Sequence, residues 1–255
     1  MKTITLANMK GGTGKTSISV SLAAELAKHD KTVLLDFDPQ ANTTAWTAPE
    51  SYNPDKMPEL VDVLQDKATA QSAIIPTETK GLSLLPTIGV NGGLKPYVEN
   101  AGELVINKAV KNLFADIGKL GFTYCIVDLS PAFGKLERAA LISASETITP
   151  ILADRFSLDG LESIAENLNE LTGLVDHPIA QYKRLIINGM DGRIKRHAET
   201  EQKLKADAKQ TIYTLPIDQV FFRAQSQSRM IQTMDAKPET LDAITKLAND
   251  IRGNK

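Results

Sequence analysis

Nine consecutive residues near the start of the chain, Asn8-Met9-Lys10-Gly11-Gly12-Thr13-Gly14-Lys15-Thr16, have the types and order that hold a phosphate. Glycines 11, 12 and 14 let the backbone bend tightly, so that successive amides point inward at phosphate oxygens. A helix opening at Lys15 would add the partial positive charge of its N-terminus. Lys15 would then reach the β- and γ-phosphates of a nucleoside triphosphate, and the Thr16 hydroxyl would ligate Mg²⁺. Thr13 and Ser17 complete the cradle. The stretch departs from G-x-x-x-x-G-K-T in two places: Met9 stands at the first glycine position, and an additional lysine, Lys10, precedes the glycines.

Carboxylates follow at two further points. Leu34-Leu35-Asp36-Phe37-Asp38-Pro39-Gln40 ends an apolar run with an acidic pair, and Tyr124-Cys125-Ile126-Val127-Asp128 ends another with a single aspartate. Two carboxylates beside a triphosphate repel it unless Mg²⁺ and water intervene, so this clustering suits a metal site. Taken by itself, Asp-x-Asp at a strand end is also a common solvated turn.

The elements that must position these groups read as alternating strands and helices. Strands are expected at Thr3 to Asn8, Thr32 to Asp36, Leu82 to Pro86, Tyr124 to Asp128, Glu146 to Leu152, Arg184 to Asn188 and Ile212 to Leu215. Near-continuous apolar interiors such as Val33-Leu34-Leu35 suit a parallel sheet buried on both faces. Helices are expected at about Thr16 to His29, Glu103 to Leu120, Leu136 to Ala144, Leu158 to Gly173, Arg193 to Lys209 and Pro238 to Arg252. The pattern predicts an α/β, doubly wound, mostly parallel sheet with helices on both faces. Two irregular stretches, Ala41 to Pro58 and Gly89 to Gly102, read as functional or mobile loops. Strand and helix alternation resumes after each, so 1–255 reads as a single domain.

Lys10-Gly11-Gly12-Thr13-Gly14-Lys15-Thr16 resembles the deviant Walker A motif of the ParA/MinD ATPases. Asp36-Phe37-Asp38-Pro39-Gln40 is similar to switch I of the ParA branch. Asp128 falls at the end of the Walker B strand, and Leu129-Ser130-Pro131 is similar to switch II, with Ser130 where the family usually has proline. Pro150 to Leu161 resembles the segment leading into a helix at the dimer face. The likeness runs from Met1 to about Ile231 and is weakest from Thr47 to Lys119. It implies that Lys10 reaches across a nucleotide-sandwich dimer to the partner's ATP, that Asp36 and Asp128 support the Mg²⁺ shell, and that Asp38 positions the attacking water. It also implies that Asn188 or a neighbour meets adenine, with the loop around Pro216 to Asp218 closing the pocket. Asn188-Gly189-Met190-Asp191 has the outline of the guanine-reading Asn-Lys-x-Asp but lacks its lysine, so ATP is the expected nucleotide. A turn-forming role for Asn188 stays open.

Charge points to an output for such a switch. The whole chain carries 29 basic and 31 acidic residues, yet Gln181 to Lys209 holds eight basic against four acidic, leaving the remainder with 21 against 27. On a helix starting near Arg193, side chains 193, 196 and 203 fall within an arc of roughly 80°. Asp207 lies on the same side, and a solvated helix face is the bland alternative. Short ParA relatives bind DNA non-specifically as ATP dimers, which the resemblance extends to Arg193, Arg196 and Lys203, with Arg223 and Arg229 in the loop after the last strand as further candidates. It also implies a ParB-like centromere-binding or adaptor partner that stimulates hydrolysis. With the phosphate loop so near Met1, no helix-turn-helix domain is expected before it.

Two rival readings share the motif. A MinD-like membrane positioner calls for an amphipathic basic tail, and the tail here offers the stripe Leu241, Ile244, Leu247 and Ile251 with mixed charges, which suits docking on the core. A cargo-positioning ATPase for a protein assembly, or a metabolic enzyme on the same fold, is the other. The single cysteine, Cys125, excludes an internal disulfide framework and a thiolate cluster built within one chain, and reads as a buried packing residue. No run approaches the roughly 18 apolar residues of a membrane span. A cytoplasmic, nucleoid-associated protein is the expectation, with no membrane partner.

Overall fold

A computed structural model describes residues 1–153, 166, 169–171, 181–207 and 209–253. Its strands are β1 (Lys2–Leu6), β2 (Thr32–Phe37), β3 (Ile75–Pro76), β4 (Leu82–Leu85), β5 (Tyr124–Leu129), β6 (Glu146–Leu152), β7 (Gln181–Met190) and β8 (Thr211–Pro216). They form one sheet in the order β3-β4-β2-β5-β1-β6-β7-β8, parallel throughout except for the antiparallel β3–β4 edge. The doubly wound expectation therefore holds, with β3 as an addition too short for periodicity to signal.

Strand alternation divides the core between the two faces of the sheet. Ile4, Leu6, Leu34 and Ile126 face one way, against α1 (Lys15–Ala27) and the C-terminal helix at Pro238–Arg252. Val33, Leu35, Phe37, Cys125 and Val127 face the other, against α6 (Glu103–Lys119) and α7 (Lys135–Ser143). Every residue of β2 and β5 is buried, as a strand covered on both sides requires. Cys125 is wholly buried among apolar neighbours, which pushes its thiol pKa far up and makes it packing material.

The two irregular stretches hold more structure than their composition signals. Helix α2 (Asn42–Thr47) lies inside the first, and α5 (Leu94–Asn100) inside the second. Between them lie the one-turn helices α3 (Leu60–Leu64) and α4 (Ala70–Ala73). Helices this short show no usable apolar period, and tertiary contacts such as the burial of Trp46 hold them.

Beyond β7 come α8 (Lys195–Asp207), α9 (Val220–Ser226) and α10 (Pro238–Arg252). Helix α8 starts two residues later than expected, and α9 replaces part of an expected loop. Ile244, Leu247 and Ile251 of α10 are buried in the core, with Leu241 packed beside them. The tail stripe is thus spent on packing. At the same end of the sheet, the buried Arg184 guanidinium bonds Glu146, and Asp250 at 2.6 Å, tying β6, β7 and α10 together. The helix expected from Leu158 to Gly173 lies largely outside the described residues.

Candidate nucleotide site

Parallel pairing brings the acidic residues together. Register sets Asp36 of β2 beside Asp128 of β5, and Asp128 beside Leu6 of β1, directly before the phosphate loop. All three strands end at the same edge, where ligands of open α/β sheets bind. The loop between β1 and α1 depends on glycine at two positions: φ is +74° at Gly12 and +91° at Gly14, the left-handed region that side chains disfavour. A Cβ at Gly14 would also lie 2.3 Å from Asn188 Nδ2. One at Gly11 or Gly12 meets nothing within 4 Å. Both border a cavity of about 420 Å³, shared with Lys15, Thr16, Asp38 and Pro131. Ser17, Gln40, Asn42 and Gln225 border it too.

Lys15 is buried, and its Nζ donates to the carbonyls of Asn8 at 3.1 Å and Lys10 at 3.4 Å. Burial lowers its pKa, while Asp128 and Asp38 pull it back up. The loop is pinned from below by Asn8, whose Nδ2 donates to the Pro150 carbonyl at 2.7 Å and whose Oδ1 accepts the Lys10 amide at 2.8 Å. Lys10 itself is half-buried at the rim.

Asp128 has no solvent exposure and accepts three hydroxyls: Thr16 and Thr43 at 2.7 Å on Oδ2, and Ser19 at 3.0 Å on Oδ1. Burial raises its pKa against the downward pull of those hydroxyls. Asp36 accepts the Thr44 amide and hydroxyl, each at 2.7 Å, and the Asp38 amide at 3.2 Å. Burial, with the Asp128 charge beside it, lifts the Asp36 pKa to about 8. An all-oxygen set of one hydroxyl and two carboxylates fits Mg²⁺, which keeps several waters and takes one or two protein carboxylates alongside phosphate oxygens. Asp38 is buried, and its Oδ1 accepts the Gln40 amide at 2.9 Å.

A pH dependence follows from Asp36. Its folded pKa, about 8, lies above the ordinary 3.8, so between those values the folded state holds a proton that the unfolded chain has released. Stability of the nucleotide-free, Mg²⁺-free protein is therefore expected to fall as pH rises through that window, and Asp36→Asn should flatten the fall. Melting temperatures from pH 5 upward check this; parallel curves for the two proteins would contradict it.

Sequence reasoning missed Ser19, Thr43, Thr44 and Thr87. Thr87 donates its amide to the Thr44 hydroxyl at 2.9 Å and its own hydroxyl to the Asp36 carbonyl at 2.5 Å. Only Ser19 offered a signal, one helical turn beyond Thr16.

The other expected residues lie around this cavity and beyond it. Asn188 lies within β7 and donates from Nδ2 to the Thr13 carbonyl at 3.0 Å, so its amide braces the phosphate loop. Pro216 closes β8, paired with Met190. The Asp218 carboxylate is taken by the amides of Val220 and Lys237, at 3.0 and 2.9 Å, and the Thr240 hydroxyl at 2.8 Å, holding the starts of α9 and α10. Arg193 precedes α8 and chelates Asp191 at 2.9 and 2.6 Å, so it does not share a helix face with Arg196 and Lys203. Those two are exposed on α8, without a carboxylate partner among the described residues. Arg223 sits on α9, bonded to the Asp235 carbonyl at 2.9 Å, and Arg229 follows that helix, bonded to the Thr233 carbonyl at 2.7 Å.

Comparison with known proteins agrees with this geometry. The AAA domain family matches residues 1–180. A ParA family protein of Chlamydia trachomatis is 32% identical over 187 residues, covering 70% of this chain and 69% of that protein. The sporulation initiation inhibitor protein Soj of Bacillus subtilis is 25% identical over 260 residues, covering 99% of each chain. Among solved structures, the ATP complex of a Cyanothece McdA variant superposes with a TM-score of 0.85 at 21% identity, over 100% of this chain and 97% of that one.

Proposed function

This chain belongs to the ParA family of P-loop ATPases, and from that premise we propose that it is a DNA partition ATPase that binds Mg²⁺–ATP as a sandwich dimer. The observation that carries the nucleotide reading is the convergence of Lys15, Thr16 and Asp38 on one cavity, with Asp128 hydrogen-bonded to Thr16 behind it. Lys15 and the loop amides bind the β- and γ-phosphates. Thr16, Asp128 and Asp36 would hold Mg²⁺, which would supply positive charge to offset that of the phosphates. Asp38, at the cavity edge, orients the attacking water. Lys10 crosses to the nucleotide of the second subunit.

The output reading is non-specific DNA binding by the ATP dimer, reset when a ParB-like partner accelerates hydrolysis. The charge asymmetry of the sequence supports it, as does the exposure of Arg196 and Lys203 on α8. Two subunits presenting three or four cations each give roughly six to eight phosphate contacts and a logarithmic salt slope of about −5 to −7. The double variant Arg196→Ala/Lys203→Ala removes four cations per dimer and should flatten that slope by about 3 to 4 while leaving ATP affinity unchanged. Fluorescence anisotropy of a random-sequence duplex, titrated with ATP and Mg²⁺ from about 50 to 200 mM salt, reads both quantities. An unchanged slope would remove α8 from the DNA interface.

A further inference from the structure

The loop between β5 and α7 borders the nucleotide cavity through Pro131, and one buried carboxylate holds both of its ends. Glu137, in the first turn of α7, is only 6% exposed. Its Oε1 accepts the Ser130 hydroxyl in a short hydrogen bond, and its Oε2 accepts the Gly134 amide at 3.0 Å. Reaching back to an amide at the helix start is ordinary capping by an acidic residue at the third helical position. Capping leaves the second oxygen free to face water. Here that oxygen turns inward to the residue directly before Pro131.

The surroundings make this clamp stiff. Lys135, in the same turn, donates from Nζ to the carbonyls of Val98, Glu99 and Ala101 at 3.2, 3.2 and 2.9 Å, anchoring α7 to the end of α5. On the inner side, Ser130, Phe133 and Glu137 enclose a cavity of about 10 Å³ against Asn8 and Met9. That leaves space for a single water at most, so the loop rests against the start of the phosphate loop. A proline at position 130 would restrict the backbone through its ring. Serine lacks that restraint, and the bond to Glu137 supplies one.

We propose that Glu137 is a positioning residue for ATP hydrolysis, acting through Ser130 to fix Pro131 and its loop against the phosphate end of the site. The proposal rests on the reading that this chain hydrolyses ATP. Misplacement of about 1 Å costs up to about 100-fold in rate, so losing the clamp should appear in kcat. Phosphate binding, which depends on Lys15 and the loop amides, should be spared.

The test is a double-mutant cycle of Ser130→Ala and Glu137→Gln, with Ser130→Thr as the conservative control. Each single variant is expected to lower kcat about 10-fold or more, with KM for ATP within about two-fold of the parent. The double variant should be no slower than the worse single one, and Ser130→Thr should keep kcat within about two-fold. Hydrogen exchange over residues 130–134 in the nucleotide-free protein should quicken in both single variants, a readout that needs no turnover. Unchanged exchange would overturn the clamp, as would unchanged kcat or independent, multiplying losses. If the parent protein failed to hydrolyse ATP while the exchange result held, the ATPase reading would fall and the clamp on the loop would stand.

Discussion

Lys15→Ala is expected to abolish measurable ATP hydrolysis and to weaken ATP binding by about 100-fold or more, while the protein stays folded. The second half of that outcome carries the weight. Lys15 is 7% exposed, and its ammonium is satisfied by two carbonyl oxygens at 3.1 and 3.4 Å rather than by a carboxylate in contact. Burying a cation with so little compensation costs stability, which the lowered pKa reflects. A lysine there for packing would weaken the fold on removal. One held for an incoming anion leaves the fold as stable or more stable when replaced by alanine. A phosphate arriving in the cavity meets this ammonium where water is largely excluded, so the interaction exceeds its worth at a surface. Titration with a fluorescent ATP analogue and a thermal melt of the same variant separate the two cases. Binding retained within about tenfold would mean that the phosphates sit elsewhere.

The parts of the site written in sequence are those whose chemistry depends on near neighbours in the chain. Glycines 12 and 14 and Lys15 belong to one local turn, so their spacing alone carries the message. Asp36 and Asp128 were legible as strand ends, because apolar runs of β2 and β5 stop there and parallel register does the rest. The hydroxyls around them were not. Thr43 and Ser19 meet Asp128 across 85 and 109 residues, and Thr87 meets Asp36 across 51. Serine and threonine have no period or composition that marks such a partner.

Side-chain partners at the surface were hidden for another reason. Arg193 counts as positive in any tally of charge, yet Asp191 two residues earlier takes its guanidinium in a bidentate pair. Asp218 likewise accepts from Val220, Lys237 and Thr240 at the starts of two helices, partners that lie up to 22 residues away. Side chains such as these take the partners that the finished fold brings near, and chain order does not announce them.

Asp38→Ala is expected to give the opposite signature to Lys15→Ala: hydrolysis slowed by about 100-fold or more with ATP affinity kept. The residue lies at the cavity edge, held in place by its own backbone. Its amide donates to Asp36 Oδ1 at 3.2 Å, and its carbonyl accepts the Ala41 amide at 2.8 Å. One side-chain oxygen is occupied by the Gln40 amide at 2.9 Å, leaving the other for a water beside the phosphates. Alanine removes both contacts and could also loosen the turn. Asp38→Asn resolves that ambiguity, because an amide oxygen can still accept from Gln40 while the charge that orients and polarises water is gone. Both variants should therefore hydrolyse slowly, with asparagine restoring the turn and not the rate. A carboxylate beside a triphosphate also repels it, so ATP affinity should hold or rise once the charge is removed. On the proposed cycle, the ATP-bound form then accumulates, and DNA retention outlasts that of the parent protein after excess ATP is withdrawn. Normal turnover in both variants would move the water-orienting role to another residue on the cavity wall, with Gln40 and Gln225 the neighbours to replace next.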